Sequence, residues 1–111
     1  MEYFIYKIVN HDTNKIYYGN TCRSIYLRLK EHKNSYLRFI RGKSKRFVSS
    51  YLVLHPDPEN VSIILVDKCY NIENARIIEG EYIKNYPCVN FNSSGFLNKK
   101  FNILKSYVDS L

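Results

Sequence analysis

The tightest constraint on this chain is a pair of short apolar runs divided by five turn-forming residues. Tyr3 to Val9 is β-branched and aromatic. Asn10-His11-Asp12-Thr13-Asn14 is polar, and Lys15-Ile16-Tyr17-Tyr18 forms a second run closed by Gly19. Residues of the intervening kind favour turns. Two such runs joined by a short polar loop predict an antiparallel hairpin.

Helical spacing takes over after the hairpin. Ser24 stands in an N-cap position, and Ile25, Leu29, Tyr36 and Ile40 recur on one face, which predicts a helix to about Phe39. A shorter helix is expected over Arg46 to Leu54, stopped by His55-Pro56-Asp57-Pro58. Val61 to Val66 reads as a third strand, and its unbroken apolarity predicts cover on both faces. Asn71 caps a helix to about Tyr86, which Pro87 ends. Phe101, Leu104, Val108 and Leu111 align on one face of a closing helix. The order is β-β-α-α-β-α-α. It predicts an α+β fold: a small three-stranded antiparallel sheet flanked by helices. One domain over residues 1–96 is expected, with a helix over 97–111 packed on it or extending it.

The chain has 111 residues, enough for one domain with a real core. No run is long and apolar enough to span a membrane, and the opening residues do not read as a signal peptide. Cys22, Cys69 and Cys88 are odd in number and contain no CxxC pair, which argues against a disulfide framework or a zinc site. Free thiols suit an intracellular compartment, cytoplasm or nucleus. The net charge of +7 favours a polyanionic partner: DNA, RNA or acidic lipid. Five of those positive charges, Arg38, Arg41, Lys43, Lys45 and Arg46, fall within nine residues. They form either a backbone-binding patch or a solvated loop. The abundance of Asn, Ile, Lys and Tyr suggests an AT-rich source such as a virus or mobile element.

One acid is out of place. Glu79 falls on the same stripe of its helix as Ile72, Ala75, Tyr82, Ile83 and Tyr86. A carboxylate on a core-facing stripe is costly unless paired or bound to a cation. Glu79 is therefore an ion-pair member at the core edge, a metal ligand, or a general acid or base. Arg28 and His32 are four residues apart and point to one side of their helix. They suit a phosphate grip and a proton relay, or else a surface cation beside a surface histidine. Tyr6 and Tyr17 fall on the two hairpin strands, where cross-strand neighbours meet.

Taken in order, these residues resemble the GIY-YIG nuclease superfamily, in its homing-endonuclease-like catalytic domain. The resemblance runs through Phe4-Ile5-Tyr6, Ile16-Tyr17-Tyr18-Gly19, Arg28 with His32, Glu79 in Glu79-Gly80-Glu81-Tyr82-Ile83, and Asn90, and covers about residues 3 to 92. Two positions depart from the family's name: Phe4 replaces the first glycine, and Tyr18 replaces the isoleucine of the second triplet.

The resemblance implies hydrolysis of a DNA phosphodiester by water, leaving a 5′-phosphate and a 3′-hydroxyl. It implies one divalent ion, Mg²⁺ or Mn²⁺, held by Glu79 as a hard oxygen ligand. Arg28 would clamp the phosphate. Tyr6 would act as general base, its phenol acidified by nearby cations, with His32 helping to take its proton. Tyr17 would hydrogen-bond the attacking water or the phosphate, Asn90 would brace the site, and Lys15 would contact a phosphate. No zinc-finger or helix-turn-helix pattern is visible, so the expectation is low-specificity cutting of double-stranded DNA, recognition of a structure such as a branch or flap, or specificity supplied by an additional DNA-binding domain or a partner protein. The competing readings are a non-catalytic nucleic-acid-binding module of the same fold and a protein-interaction domain with incidental charge.

Overall fold

The computed structural model describes residues 1–90. The elements follow as β1 (Tyr3–Asn10), β2 (Ile16–Thr21), α1 (Ile25–Ile40), α2 (Tyr51–Leu54), β3 (Val61–Cys69) and α3 (Ile72–Asn85). The three strands form one antiparallel sheet in the order β2-β1-β3. The fold is α+β, with helices flanking the sheet. The expected closing helix over 97–111 lies outside the described residues.

The hairpin turn is built by Asn10. Its side-chain oxygen accepts from the backbone N–H of Asp12 at 2.9 Å and of Thr13 at 3.0 Å. Asn14 then takes a positive φ of 59°, which asparagine tolerates better than most residues. The Asn10 amide also donates to the Val53 carbonyl at 2.9 Å, tying the turn to α2.

Alternation along β1 divides the core. Tyr6 and Ile8 face α1 and α2, where Tyr36, Tyr51, Leu52, Val53 and Leu54 pack on them. Ile5 faces the other way, against Cys69 and Ala75. α3 therefore covers the opposite face from α1. Its start is capped as the sequence predicts: the Asn71 side chain accepts from the Asn74 N–H at 2.8 Å.

Three local expectations change. Ser24 holds the N-cap position of α1, but its hydroxyl makes no cap bond. The second helix shrinks to Tyr51–Leu54. Val48, Ser49 and Ser50 are poor helix formers, and the chain before them instead places the Phe47 ring on Phe39 and Tyr51. The cover over β3 is also incomplete: Ile64 and Leu65 are exposed. β3 is an edge strand. Its register against β1 slips between Ile5, opposite Asp67, and Tyr6, opposite Leu65. Val66 is the extra residue of a bulge, and bulges bend an edge strand and re-aim its side chains.

Candidate active site

The hairpin register sets the first pair of residues. Tyr6 lies opposite Gly19 and Ile8 opposite Tyr17. Tyr6 and Tyr17 are thus diagonal neighbours on one face of the sheet. His32 reaches down from α1 onto both rings, with its centroid 6.1 Å from Tyr6 and 5.5 Å from Tyr17, both edge-on. His32 Nε2 lies 2.8 Å from the Tyr6 hydroxyl.

Gly19 makes that geometry possible. A Cβ built on it would overlap the Tyr6 hydroxyl and lie 2.5 Å from Tyr6 Cζ. The phenol occupies the volume that any side chain at position 19 would need. The glycine is required here by close approach, not by an unusual φ.

Arg28 and Glu79 complete the cluster. Arg28, one turn before His32, is 37% exposed and lies 3.6 Å from Glu31. Glu31 in turn takes two hydrogen bonds from Arg23, at 2.6 and 2.7 Å. The charges of Arg28 and Glu79 both act on the Tyr6 and Tyr17 phenols. The structure therefore brings Tyr6, Tyr17, Arg28, His32 and Glu79 into one neighbourhood from β1, β2, α1 and α3.

Among the protein's own groups, burial pushes the Tyr6 phenol well up, helped by Tyr17 and Glu79, and the opposing charge of Arg28 is the weaker influence, so Arg28 by itself does not acidify it. Burial likewise pushes Tyr17 up to about 12. His32 moves the other way: burial, with the Arg28 charge, lowers it to about 4, so the ring is neutral near pH 7.

Glu79 is partly buried on the half-covered stripe of α3. Among the described residues it forms no ion pair. Its one hydrogen bond is from the Asn20 side-chain amide, at 3.1 Å to Oε2. Burial raises its pKa, and the Asn20 hydrogen bond only partly offsets this. A carboxylate desolvated without a cation suits a hard divalent ion. Among the described residues no three His, Cys, Asp or Glu side chains gather as a cage, so an ion held by Glu79 would keep positions for water and substrate.

Asn90 does not enter the cluster. Its side-chain oxygen accepts from Tyr18 N–H at 2.8 Å, and its amide donates to Tyr18 C=O at 2.7 Å. β2 is an edge strand, and Asn90 supplies the partner that a further strand would give. Val89 N–H adds a bond to the Ile16 carbonyl at 2.8 Å. Asn90 thus braces the strand between Tyr17 and Gly19.

The basic residues lie apart. Arg38, Arg41, Lys43, Lys45 and Arg46 are all exposed at the far end of α1 and the loop after it. Arg28 and Arg41 are separated by ~20 Å along the helix, at 1.5 Å per residue. The charge of Lys15 acts on His55, not on the tyrosine pair. Tyr18, in place of the family isoleucine, stacks on Tyr82 at 5.3 Å on the α3 side. Phe4 lines an open cleft of about 220 Å³ with Ser24, Ile25, Tyr26 and Leu65.

Sequence reasoning missed Asn20, Glu31 and Ser50. Asn20 follows the motif glycine directly, and strand alternation turns it away from the Tyr17 and Gly19 face. Ser50, which bonds His32 Nδ1 at 3.1 Å, has no local signal because it lies 18 residues from its partner.

A family model described as the GIY-YIG catalytic domain matches residues 2–91. Searches of curated proteins and of solved structures return no match. No helix among the described residues is long and apolar enough to cross a membrane. The match spans most of the chain and every element that carries the cluster, so the chain belongs to the GIY-YIG family of nucleases.

Proposed function

We propose that this chain is a metal-dependent endonuclease that hydrolyses DNA phosphodiesters to 5′-phosphate and 3′-hydroxyl ends. The supporting observation is the convergence of Tyr6, Tyr17, Arg28, His32 and Glu79 from four separate elements.

Hydrolysis must counter charge on the phosphate, take a proton from water and stabilise the leaving oxygen. Arg28 is accessible enough to reach a phosphate and carries a permanent charge. Tyr6 takes the water proton while handing its own to His32 Nε2. Burial makes a free Tyr6 phenolate costly, so a concerted handover is favoured over prior ionisation. Tyr17 orients the water or the phosphate. Glu79 would hold Mg²⁺ or Mn²⁺, and that ion would supply positive charge to the phosphate and the leaving oxygen.

Binding is assigned to the basic loop. Exposed Arg38, Arg41, Lys43, Lys45 and Arg46 suit phosphate contacts away from the scissile bond, with Arg41 ~20 Å along the helix from Arg28. Such contacts give affinity and salt dependence but little sequence reading, which leaves specificity to DNA structure or to a further domain or partner.

The test is cleavage of an end-labelled duplex and of branched DNA with Mg²⁺, Mn²⁺ or EDTA. Products should appear with either metal, disappear with EDTA, and ligate without phosphorylation. Salt-sensitive binding with no cleavage of any substrate would assign a non-catalytic binding module instead.

A further inference from the structure

His32 is held at both ring nitrogens. Nε2 lies 2.8 Å from the Tyr6 hydroxyl and Nδ1 lies 3.1 Å from Ser50 Oγ. All three residues are buried: Tyr6 is 1% exposed, His32 4% and Ser50 0%. A neutral imidazole carries one N–H and one bare nitrogen. One contact is therefore donated by the ring, and the other is accepted by it.

We propose that Ser50 is a positioning residue for this reaction: its hydroxyl oxygen accepts from Nδ1–H of His32, which leaves Nε2 bare to receive the Tyr6 proton. The catalytic consequence rests on the nuclease reading. The hydrogen-bond assignment does not.

Two observations fix the direction. The charge of Arg28 acts on the Tyr6 phenol in the acidifying sense, and a phenol beside a positive charge is the better donor, which favours its proton pointing to Nε2. The second observation is the pairing of donor strengths. A phenol is a stronger donor than an alcohol, and an alcohol oxygen is the better acceptor. The shorter contact belongs to Tyr6, and 3.1 Å is an ordinary N–H···O length.

The proton count closes. As Tyr6 takes a proton from the attacking water, its own moves along the hydrogen bond to Nε2. The net transfer is one proton from water to His32. The resulting imidazolium donates from Nε2 to Tyr6 and from Nδ1 to Ser50. Ser50 accepts before and after, so it need not reorient. The other groups facing the ring are Tyr17 from β2, with Arg28 and Glu31 from its own helix.

The experiment is nitrogen-15 NMR of the histidine side chains in wild type, Ser50→Ala and Ser50→Thr, with His32 assigned by its absence in His32→Gln. Wild type and Ser50→Thr are expected to carry the proton on Nδ1. Ser50→Ala is expected to move it to Nε2. On DNA, Ser50→Ala should lower kcat roughly tenfold or more with unchanged DNA affinity, and Ser50→Thr should recover it. A wild-type ring protonated at Nε2, or a tautomer unmoved by Ser50→Ala, would overturn the proposal. If Ser50→Ala does not fold, the wild-type spectrum still decides the assignment. If wild type does not cut DNA, the nuclease reading fails while the spectrum still reports the tautomer.

Discussion

Gly19 faces Tyr6 across the β1–β2 ladder, and the Tyr6 phenol fills the space that a Gly19 side chain would need. The glycine and the proposed general base are one steric unit. Gly19→Ala must displace the phenol from His32 or part the strands. It is expected to cost about 1–3 kcal/mol in urea unfolding, the usual range for overpacking. Cleavage should fall further than that loss of folded protein explains. A variant of normal stability and normal rate would show that the ring has room to move.

Asn90 satisfies both backbone groups of Tyr18 at an otherwise open strand edge. Asn90→Ala leaves a buried donor and a buried acceptor without partners, at roughly 1–3 kcal/mol each. The Tyr18 amide should exchange with deuterium faster than its neighbours on β1. Asn90→Asp keeps the acceptor and loses the donor, so it should fall between the two. Unchanged Tyr18 exchange in Asn90→Ala would remove the bracing role.

Among the described residues Glu79 is desolvated without a cation partner, and burial raises its folded pKa. The unfolded chain therefore gives up this proton first as pH rises above the ordinary carboxylate value. Stability is lost through that interval and stays lower at neutral pH. Metal-free Glu79→Gln should accordingly melt a few degrees higher than wild type at pH 7. Mg²⁺ should raise the melting temperature of wild type and not of Glu79→Gln, because a ligand stabilises only the state that binds it. Equal shifts in both proteins would place the ion elsewhere.

His32 gives the opposite pH dependence. Its folded pKa is depressed to about 4 by burial, against about 6.5 unfolded. The unfolded chain binds the extra proton in that window, so this contribution is complete above pH 6.5 and lost as pH falls towards 4. The size is roughly 3 kcal/mol at 1.36 kcal/mol per unit. Urea unfolding of wild type and His32→Gln from pH 4 to 7 isolates it. Parallel curves would mean that His32 titrates alike in both states.

Much of this was legible in the chain because it is local. The hairpin pattern placed Tyr6 and Tyr17 on paired strands, and helical spacing put Glu79 among apolar neighbours and Arg28 beside His32. Asn71 and Pro87 marked the ends of α3. Contacts between distant segments left no such trace. Ser50 meets His32 through the packing of Phe47 and Tyr51, and Asn20 meets Glu79 between β2 and α3. The apolar run of β3 was misleading: a strand covered on both faces and an edge strand with a bulge at Val66 read alike in one dimension. The weight of burial on Tyr6 was not legible, because neighbouring charge can be guessed from motif residues, whereas burial needs the fold.

The proposed metal-dependent cut in DNA depends on Glu79. Nicking of supercoiled plasmid by wild type and Glu79→Ala should be compared across Mg²⁺ concentrations, with DNA binding measured on the same preparations. Wild type should nick in a reaction that EDTA abolishes, and Glu79→Ala should not nick at any Mg²⁺ concentration despite retained binding. Nicking by Glu79→Ala at the wild-type rate would contradict that dependence.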